Sequence, residues 1–281
     1  MQSVSRVLLV LHADEAFRDR VHKVGTARFR CWSVASWDAL REAVRDAPPA
    51  AIVVLDPYME MPGRKELSPK LRSLLWEFPS VTVLAAIALR PDRYRDIHTL
   101  GEWGVTEVVD MEEENTLDAV EKRLRAAYGN PIQRLLDRAL PPYVSGRARS
   151  ILASAAEVAA AGGQGRDLAR TLHLSERTLL RWCERTDLPP PRRVMAWMRI
   201  LFAADLLDDP GRTVLSVAHA CGYVSDSSLR RAMQDFLGIP PTALREQGAF
   251  ATASRMMVNE LFELRRKGRV EREARAAARA V

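Results

Sequence analysis

The chain has 281 residues, of which 47% are hydrophobic and 28% are charged, and its formal net charge is +6. This composition is ordinary for a soluble globular protein, and the length predicts about two domains, each large enough to bury a core. No apolar run approaches the roughly 20 residues that a membrane span requires, so a membrane protein is excluded.

The first 128 residues alternate β-branched runs with helical stretches. We predict strands at 6–11, 29–34, 51–55, 81–87 and 105–109, and helices at 14–24, 36–46, 66–78, 92–102 and 115–128. Parallel strands need crossover helices, which cover both faces of their sheet. The sequence therefore predicts an α/β domain with a five-stranded parallel sheet over residues 1–128.

The second half shows no strand pattern after Tyr143 and predicts an all-α domain. Gly and Pro residues predict a linker over residues 129–147. Helices are predicted at 148–160 and 192–207, and residues 249–281 form a predicted C-terminal helical extension whose role the sequence leaves open. The all-α domain itself spans residues 148–248.

The two halves differ in charge. Residues 1–130 carry 18 Lys and Arg against 20 Asp and Glu, whereas residues 131–281 carry 24 against 16. A basic half joined to a slightly acidic half is typical of a nucleic-acid-binding domain attached to another domain.

One short pattern occurs twice in the basic half. Ser175–Arg181 and Ser225–Arg231 both read Ser-x-x-x-Leu-x-Arg, and each copy follows a short amphipathic segment and precedes a proline-marked stop. A helix, a tight turn and a capped helix with an outward arginine form a helix-turn-helix. The sequence therefore predicts two such motifs, over about 166–186 and 213–237.

The turn and cap residues of these motifs lead to specific expectations. Ser175 and Ser225 suit N-cap positions, and Leu179 and Leu229 should face the core. Gly222 suits a turn with positive φ, and His173 takes the corresponding place in the first motif as one of the few non-glycine residues enriched in that conformation. His173 is thus interpreted as a turn residue and not as a catalyst or ligand.

Residues 148–246 resemble the DNA-binding domain of the AraC family of transcription regulators. The resemblance is carried by Val217-Ala218-x-x-Cys221-Gly222-Tyr223 and by the segment from Ser225 to Arg245, which includes Phe236, Gly238 and Pro241. Spacing and residue type match over some thirty positions. The resemblance implies that two recognition helices enter successive major grooves.

Carried over by position, the resemblance also implies particular base contacts. They fall on Arg177, Thr178, Leu180 and Arg181 in the first motif and on Asp226, Ser227, Ser228 and Arg231 in the second. Leu180 departs from the polar residue usual at its position, which predicts contact with a thymine methyl group or no contact. Cys183 stands where the family usually has a large aromatic residue.

The first 128 residues resemble the receiver domain of two-component response regulators, a flavodoxin-like fold. Asp56 closes the third strand, where receivers carry their phosphoacceptor. The acidic pair after the first strand is reduced to Asp14, the hydroxyl residue after the fourth strand is replaced by Ile87 or Ala88, and the lysine after the fifth is replaced by Asp110. We therefore expect a pseudo-receiver in which Asp56 is a structural residue and no phosphorylation occurs.

The leading hypothesis is a sequence-specific transcription regulator and not an enzyme. Double-stranded DNA is its expected partner, RNA polymerase is a further partner that the family allows, and a homodimer would form through the N-terminal domain. Three cysteines without paired or metal-like spacing, and a start without a signal-peptide pattern, predict a cytoplasmic protein without metal or cofactor.

Three alternatives stay open. The first is a genuine response regulator phosphorylated on Asp56. The second is an amidotransferase-like α/β domain, which needs a nucleophilic cysteine at a strand–helix elbow, whereas Cys31 lies in mid-strand beside Trp32. The third is a purely structural interaction protein that uses the helix predicted at 251–281.

Overall fold

The computed structural model describes residues 6–61, 63 and 66–279, and for residues 271 and 274–279 it describes the backbone alone. The chain forms two compact units. One contains Met1–Pro131 with Leu206–Asp226, and the other contains Ile132–Asp205 with Ser227–Val281. The segment Leu206–Asp226 therefore folds with the α/β part of the chain, which the sequence did not predict.

The α/β unit is built on one parallel sheet. Its strands are β1 (Arg6–Leu11), β2 (Phe29–Ser33), β3 (Ile52–Leu55), β4 (Thr82–Ile87) and β5 (Glu107–Asp110). They lie in the order β2-β1-β3-β4-β5, which is the order of flavodoxin-like doubly wound folds. The predicted fold class is confirmed.

Helices cover both faces of this sheet. They are α1 (Glu15–Gly25), α2 (Trp37–Asp46), α3 (Pro69–Glu77), α4 (Tyr94–Trp103) and α5 (Leu117–Ala139), with a 3-10 turn at Pro91–Arg93 before α4. Alternate residues of each central strand enter different cores, so that Leu9 and Val53 join one core while Leu8 and Ile52 join the other. Burial on both faces explains why β1 and β3 are continuous apolar runs.

The remaining helices are α6 (Gly146–Ala160), α7 (Gly165–Thr171), α8 (Glu176–Arg185), α9 (Pro191–Leu207), α10 (Val214–Ala220), α11 (Asp226–Leu237), α12 (Pro241–Glu246) and α13 (Ala249–Arg279). The all-α character predicted for this part of the chain is confirmed. In the helical unit α9 is the most deeply buried element, with Trp197, Met198 and Leu201 almost fully buried.

The helix predicted to end at Tyr128 continues to Ala139, so the predicted linker contains the last part of α5. Pro131 lies inside this helix and lacks an amide donor, a defect that destabilises a helix interior by about 3 kcal/mol. Ile132, Leu135 and Leu136 are buried on one face of the continuing helix. Their burial, at about 1.5–3 kcal/mol for each side chain, outweighs the defect.

Candidate nucleic-acid interface

The first helix-turn-helix consists of α7 and α8, joined by a turn that His173 makes possible. His173 has φ 53°, and its amide donates to the carbonyl of Arg170 at 3.0 Å. The amide of Leu174 donates to the carbonyl of Ala169 at 2.9 Å, which closes the end of α7. The prediction that His173 is a turn residue with positive φ is confirmed.

The second helix of this motif, α8, begins at a cap. The Ser175 hydroxyl accepts a hydrogen bond from the amide of Thr178 at 3.1 Å, as predicted. Leu179 and Cys183 are almost fully buried on the inner face of α8. The opposite face is thereby turned outward, with the first turn of the helix fixed by its cap.

Three of the predicted contact residues lie on that outward face. Arg177 and Arg181 are exposed, and within the described part of the chain their guanidinium groups have no carboxylate partner. Leu180 is 38% exposed, an unusual position for a large apolar side chain. Thr178 is half-buried instead, and its hydroxyl lies 2.8 Å from that of Ser175, so it belongs to the cap.

A groove of about 780 Å³ adjoins this face, and it adds two arginines that the sequence analysis missed. Arg166, in the first turn of α7, and Arg192, in the first turn of α9, line the groove together with Arg177. Both are exposed and have no carboxylate partner among the described residues. Arg166 and Arg192 are each the second residue of a helix, and this shared position was the sequence signal that could have identified them.

The turn of the second motif repeats the geometry of the first. Gly222 has φ 76°, and its amide donates to the carbonyl of His219 at 3.0 Å. The amide of Tyr223 donates to the carbonyl of Ala218 at 2.8 Å. The duplication seen in the sequence is therefore also a duplication of turn geometry.

The helix α11 begins at Asp226, directly after Ser225, as the motif predicted. Leu229, Met233 and Leu237 are its buried residues, a spacing of four that marks its inner face. Ser227 and Arg231 are exposed, whereas Asp226 and Ser228 are half-buried. Asp226 and Ser228 also have interactions of their own, so the four predicted contact residues of α11 are unequally available.

At the carboxyl edge of the sheet lie Asp56 and the two carboxylates, Asp14 and Asp110, that stand at the positions compared with a receiver in the sequence. Asp56 is 1% exposed, and its Oδ1 accepts the amide of Tyr58 at 3.0 Å. Asp14 caps α1 by accepting the amide of Phe17 at 3.0 Å, and its own amide donates to His12 Nδ1 at 3.1 Å. The one acidic residue left after β1 is therefore part of a helix cap.

Asp110, at the place where the resemblance in the sequence expects a lysine, is also a carboxylate with a structural role. Asp110 Oδ1 accepts the amides of Leu89 at 3.2 Å and Glu112 at 3.0 Å. Among the described residues, no group of three or more His, Cys, Asp or Glu side chains could hold a metal ion. Asp56 and His12 nevertheless line the same cavity, of about 370 Å³, together with Arg90 and Arg93.

A pair of helix-turn-helix motifs, each with an exposed arginine on its second helix, places the protein in the class of DNA-binding proteins. Residues 168–247 match the model of a family described as a helix-turn-helix domain, which is of the AraC type. This match supports a DNA-binding transcription regulator. No curated protein matches the chain. In the part of the chain that the structure describes, no helix is both long and apolar enough to cross a membrane.

Proposed function

We propose that the protein is a sequence-specific transcription regulator that reads two successive major-groove segments with α8 and α11. The observation that carries this proposal is the outward face of α8. There Arg177 and Arg181 are exposed and have no carboxylate partner among the described residues, while Leu179 and Cys183 are buried on the opposite face. An arginine in that position forms a bidentate pair with guanine O6 and N7. Leu180, between the two arginines, contacts a thymine methyl group.

On α11, base recognition rests chiefly on Ser227 and Arg231, because these two of the four contact residues are exposed. Arg231 takes the place that Arg181 has in the first motif, and within the described residues it has no carboxylate partner. Asp226 and Ser228 contribute mainly to the start of α11, where an acidic residue is favourable at a helix N-terminus.

Phosphate contacts come from Arg166 and Arg192. Both line the groove next to Arg177 and are exposed in the first turns of α7 and α9. Arginines that contact phosphates fix the position of a protein on the duplex and supply affinity that falls with salt. They carry no sequence information directly.

The α/β unit is the regulatory part, and it works as a pseudo-receiver in the cytoplasm without phosphorylation of Asp56. Two observations support this proposal. Asp14 is engaged in a helix cap where a receiver has a metal-binding acidic pair, and Asp110 is a carboxylate where a receiver has the ammonium group of a lysine. The unit also forms the homodimer contact, and RNA polymerase is a partner once the regulator is bound.

The test begins with selection of a DNA site from a random library by the full-length protein. Arg181→Ala and Arg231→Ala should each lower discrimination between the selected site and a scrambled one by about 10- to 100-fold, because a bidentate contact to guanine is worth about 1–3 kcal/mol. Titrations followed by fluorescence anisotropy measure both affinities. Arg266→Ala, which removes an exposed arginine paired with Glu263 on α13, is the matched control.

Equal losses on both DNAs would reduce Arg181 and Arg231 to phosphate-binding residues. Failure of the wild-type protein to select any site at low salt would contradict the proposed function as a whole and would favour a structural interaction protein.

A further inference from the structure

A small cavity of about 280 Å³ lies in the helical unit, lined by residues from the start of α6, the end of α8 and α13. All of its lining residues belong to that one unit. Ala148, Leu188 and Leu261 are buried and supply its apolar part, together with the ring of Tyr143. A concave site with an apolar lining and a few converging polar groups is typical of small-molecule binding.

Three arginines line the same cavity. Arg185 lies in the last turn of α8, and Arg265 and Arg272 lie on α13. Among the described residues that line the cavity, Asp187 is the one carboxylate. Positive side chains gathered around a concave surface focus their field into it, so the cavity favours an anion.

Asp187 neutralises one of these three arginines and fixes one side of the cavity. Arg272 Nη1 lies 2.8 Å from Asp187 Oδ1, and Nη2 lies 3.2 Å from Oδ2, which is a bidentate pair. Asp187 has φ 56°, a conformation that aspartate adopts more readily than most residues. A Cβ atom on Gly268 would clash with Asp187 Oδ1, so the glycine leaves room for this carboxylate against α13. The end of α8 and α13 are therefore held together without a ligand.

The other two arginines keep their charge unmatched. Arg185 and Arg265 are exposed and have no carboxylate partner among the described residues. Arg265 Cζ lies 4.8 Å from the centre of the Tyr143 ring, a contact that orients the guanidinium group without neutralising it. The cavity therefore has an excess of two positive charges. A phosphate monoester carries a charge of about −1.5 to −2 at pH 7 and presents three acceptor oxygens to such groups.

We propose that this cavity binds a small phosphate monoester, with Arg185 and Arg265 holding the phosphate group and with the organic part against Leu188 and Leu261. The DNA backbone offers the same phosphate chemistry. A free monoester is favoured because the cavity also has an apolar part, which a backbone phosphate would leave unfilled. The site lies at the opposite end of α8 from the cap at Ser175, and it does not depend on the proposed function.

The first experiment is a calorimetric titration of the full-length protein with phenyl phosphate, without DNA. We expect a Kd of ~1 mM or below. Benzenesulfonate has the same ring but a single negative charge, so it should bind about tenfold more weakly, because it matches one of the two excess charges. Absence of phenyl phosphate binding, or equal affinity for the two compounds, would overturn the proposal.

The second experiment repeats this titration with variants of the cavity. Arg185→Ala and Arg265→Ala should each weaken phenyl phosphate binding by about tenfold or more, because each removes charge-assisted hydrogen bonds to the phosphate group. Asp187→Asn keeps a residue that tolerates positive φ and removes the carboxylate, so binding should tighten by about fivefold.

The matched control for these variants is Arg266→Ala, which removes an exposed arginine of α13 that is paired with Glu263 and should not change the affinity. Unchanged affinity in Arg185→Ala and Arg265→Ala would overturn the site. An equal loss in Arg266→Ala would reduce the binding to general attraction by surface charge, and weaker binding by Asp187→Asn would contradict the charge argument.

The third experiment separates a free monoester from the DNA backbone, by anisotropy titrations of a random-sequence duplex over a range of salt concentrations. If the cavity takes a free monoester, Arg185→Ala and Arg265→Ala leave the slope of log K against log salt unchanged. A reduction of the slope by about 1 in each variant would place a DNA phosphate in the cavity and overturn the proposal. If the wild-type protein binds no DNA at all, the proposed function fails, while the calorimetry still decides whether the cavity binds a phosphate monoester.

Discussion

The exposed arginines in and beside the first helix-turn-helix differ in whether they are paired with a carboxylate. Arg170 on α7 is exposed, but its Nη1 lies 2.8 Å from the Asp167 carboxylate. Arg166 and Arg192 are also exposed and have no such partner in the described part of the chain. An arginine without a carboxylate binds phosphate with no ion pair to break first.

Arg166→Ala and Arg192→Ala should each weaken binding by a similar factor on selected and scrambled DNA. Each should also reduce the slope of log K against log salt by about 1, because one phosphate contact releases about one counterion. Titrations over a range of salt concentrations measure the slope, with Arg266→Ala as control. A loss confined to the selected site would instead make the substituted arginine a base-reading residue.

The buried thiol of Cys183, on α8, makes the free energy of unfolding depend on pH in the alkaline range. Burial raises the pKa of its thiol to about 11 from an ordinary value near 9.0. Below pH 9 the thiol is protonated whether the chain is folded or unfolded. Between about pH 9 and pH 11 the unfolded chain loses the proton first, so the free energy of unfolding falls, by on the order of 2 kcal/mol for a two-unit shift.

Cys183→Ala should therefore flatten this fall, although it lowers stability at neutral pH by removing a buried side chain. Urea unfolding of both proteins between about pH 8.5 and pH 10.5, followed by circular dichroism, measures the difference. Parallel curves for the two proteins would show that the thiol does not ionise on unfolding in this range.

At the scale of elements, one carboxylate joins α13 to α9. Glu260 accepts two hydrogen bonds from Arg193, both at 2.6 Å, and one from the indole nitrogen of Trp197 at 3.0 Å. Trp197 is 2% exposed, so its buried indole N–H depends on this acceptor. Glu260 thereby fixes the C-terminal helix to the most buried helix of its unit.

Glu260→Ala should lower the free energy of unfolding by about 1–3 kcal/mol, because the buried Trp197 donor loses its acceptor. Glu260→Gln keeps an acceptor and should have a smaller effect. Urea unfolding followed by circular dichroism at 222 nm measures both changes. Glu263→Ala, which breaks an exposed pair on the same helix, should stay within about 0.5 kcal/mol of the wild type; an equal effect at both positions would contradict the role given to Glu260.

The sequence predicted those elements whose local pattern agrees with their final environment. β1 was predicted at its observed bounds because both of its faces are buried, which leaves an unbroken apolar run over the five residues after Arg6. His173 was predicted as a turn residue because the second motif has glycine at the equivalent place. The continuation of α5 through Pro131 was missed, because its last turns contact residues distant in sequence, as Arg138 does with Asp205 and the ring of Phe250.

The candidate site, too, was predictable from the sequence only where its geometry follows from a single helix. The outward arginines of α8 follow from the cap and the buried leucine of a single helix, so local spacing was sufficient. Arg166 and Arg192 meet only when α7, α8 and α9 are folded together. Asp209 and Arg212 resemble an ordinary surface ion pair in the sequence. The fold buries this pair, with the Ser80 amide donating to Asp209 and Arg212 donating to the carbonyl of Arg45 in α2.

At the scale of the whole molecule, the proposed pseudo-receiver and its alternative, a response regulator phosphorylated on Asp56, differ in a measurable product. Under our proposal, incubation with a small phosphodonor and Mg²⁺ should yield no stable phosphoryl addition by intact mass, because the residues that would hold Mg²⁺ and neutralise phosphate are replaced. A single addition that is absent from Asp56→Ala would establish the phosphorylated alternative. Asp19→Ala, on the surface of α1, is the control for non-specific modification.

Because the segment Leu206–Asp226 folds with the α/β unit, the two parts of the protein cannot be exchanged freely by engineering or by recombination. The chain passes between the two units three times, so the helix-turn-helix part is continuous in the sequence although its residues are divided between the two units. A fusion that joins residues 132–281 to a foreign sensor would lack Ser80, whose amide donates to Asp209. It would also lack the end of α2, whose carbonyl accepts a hydrogen bond from Arg212. Such chimaeras should fail unless the new sensor carries a matching surface, so we expect the two parts to diverge together rather than recombine as independent cassettes.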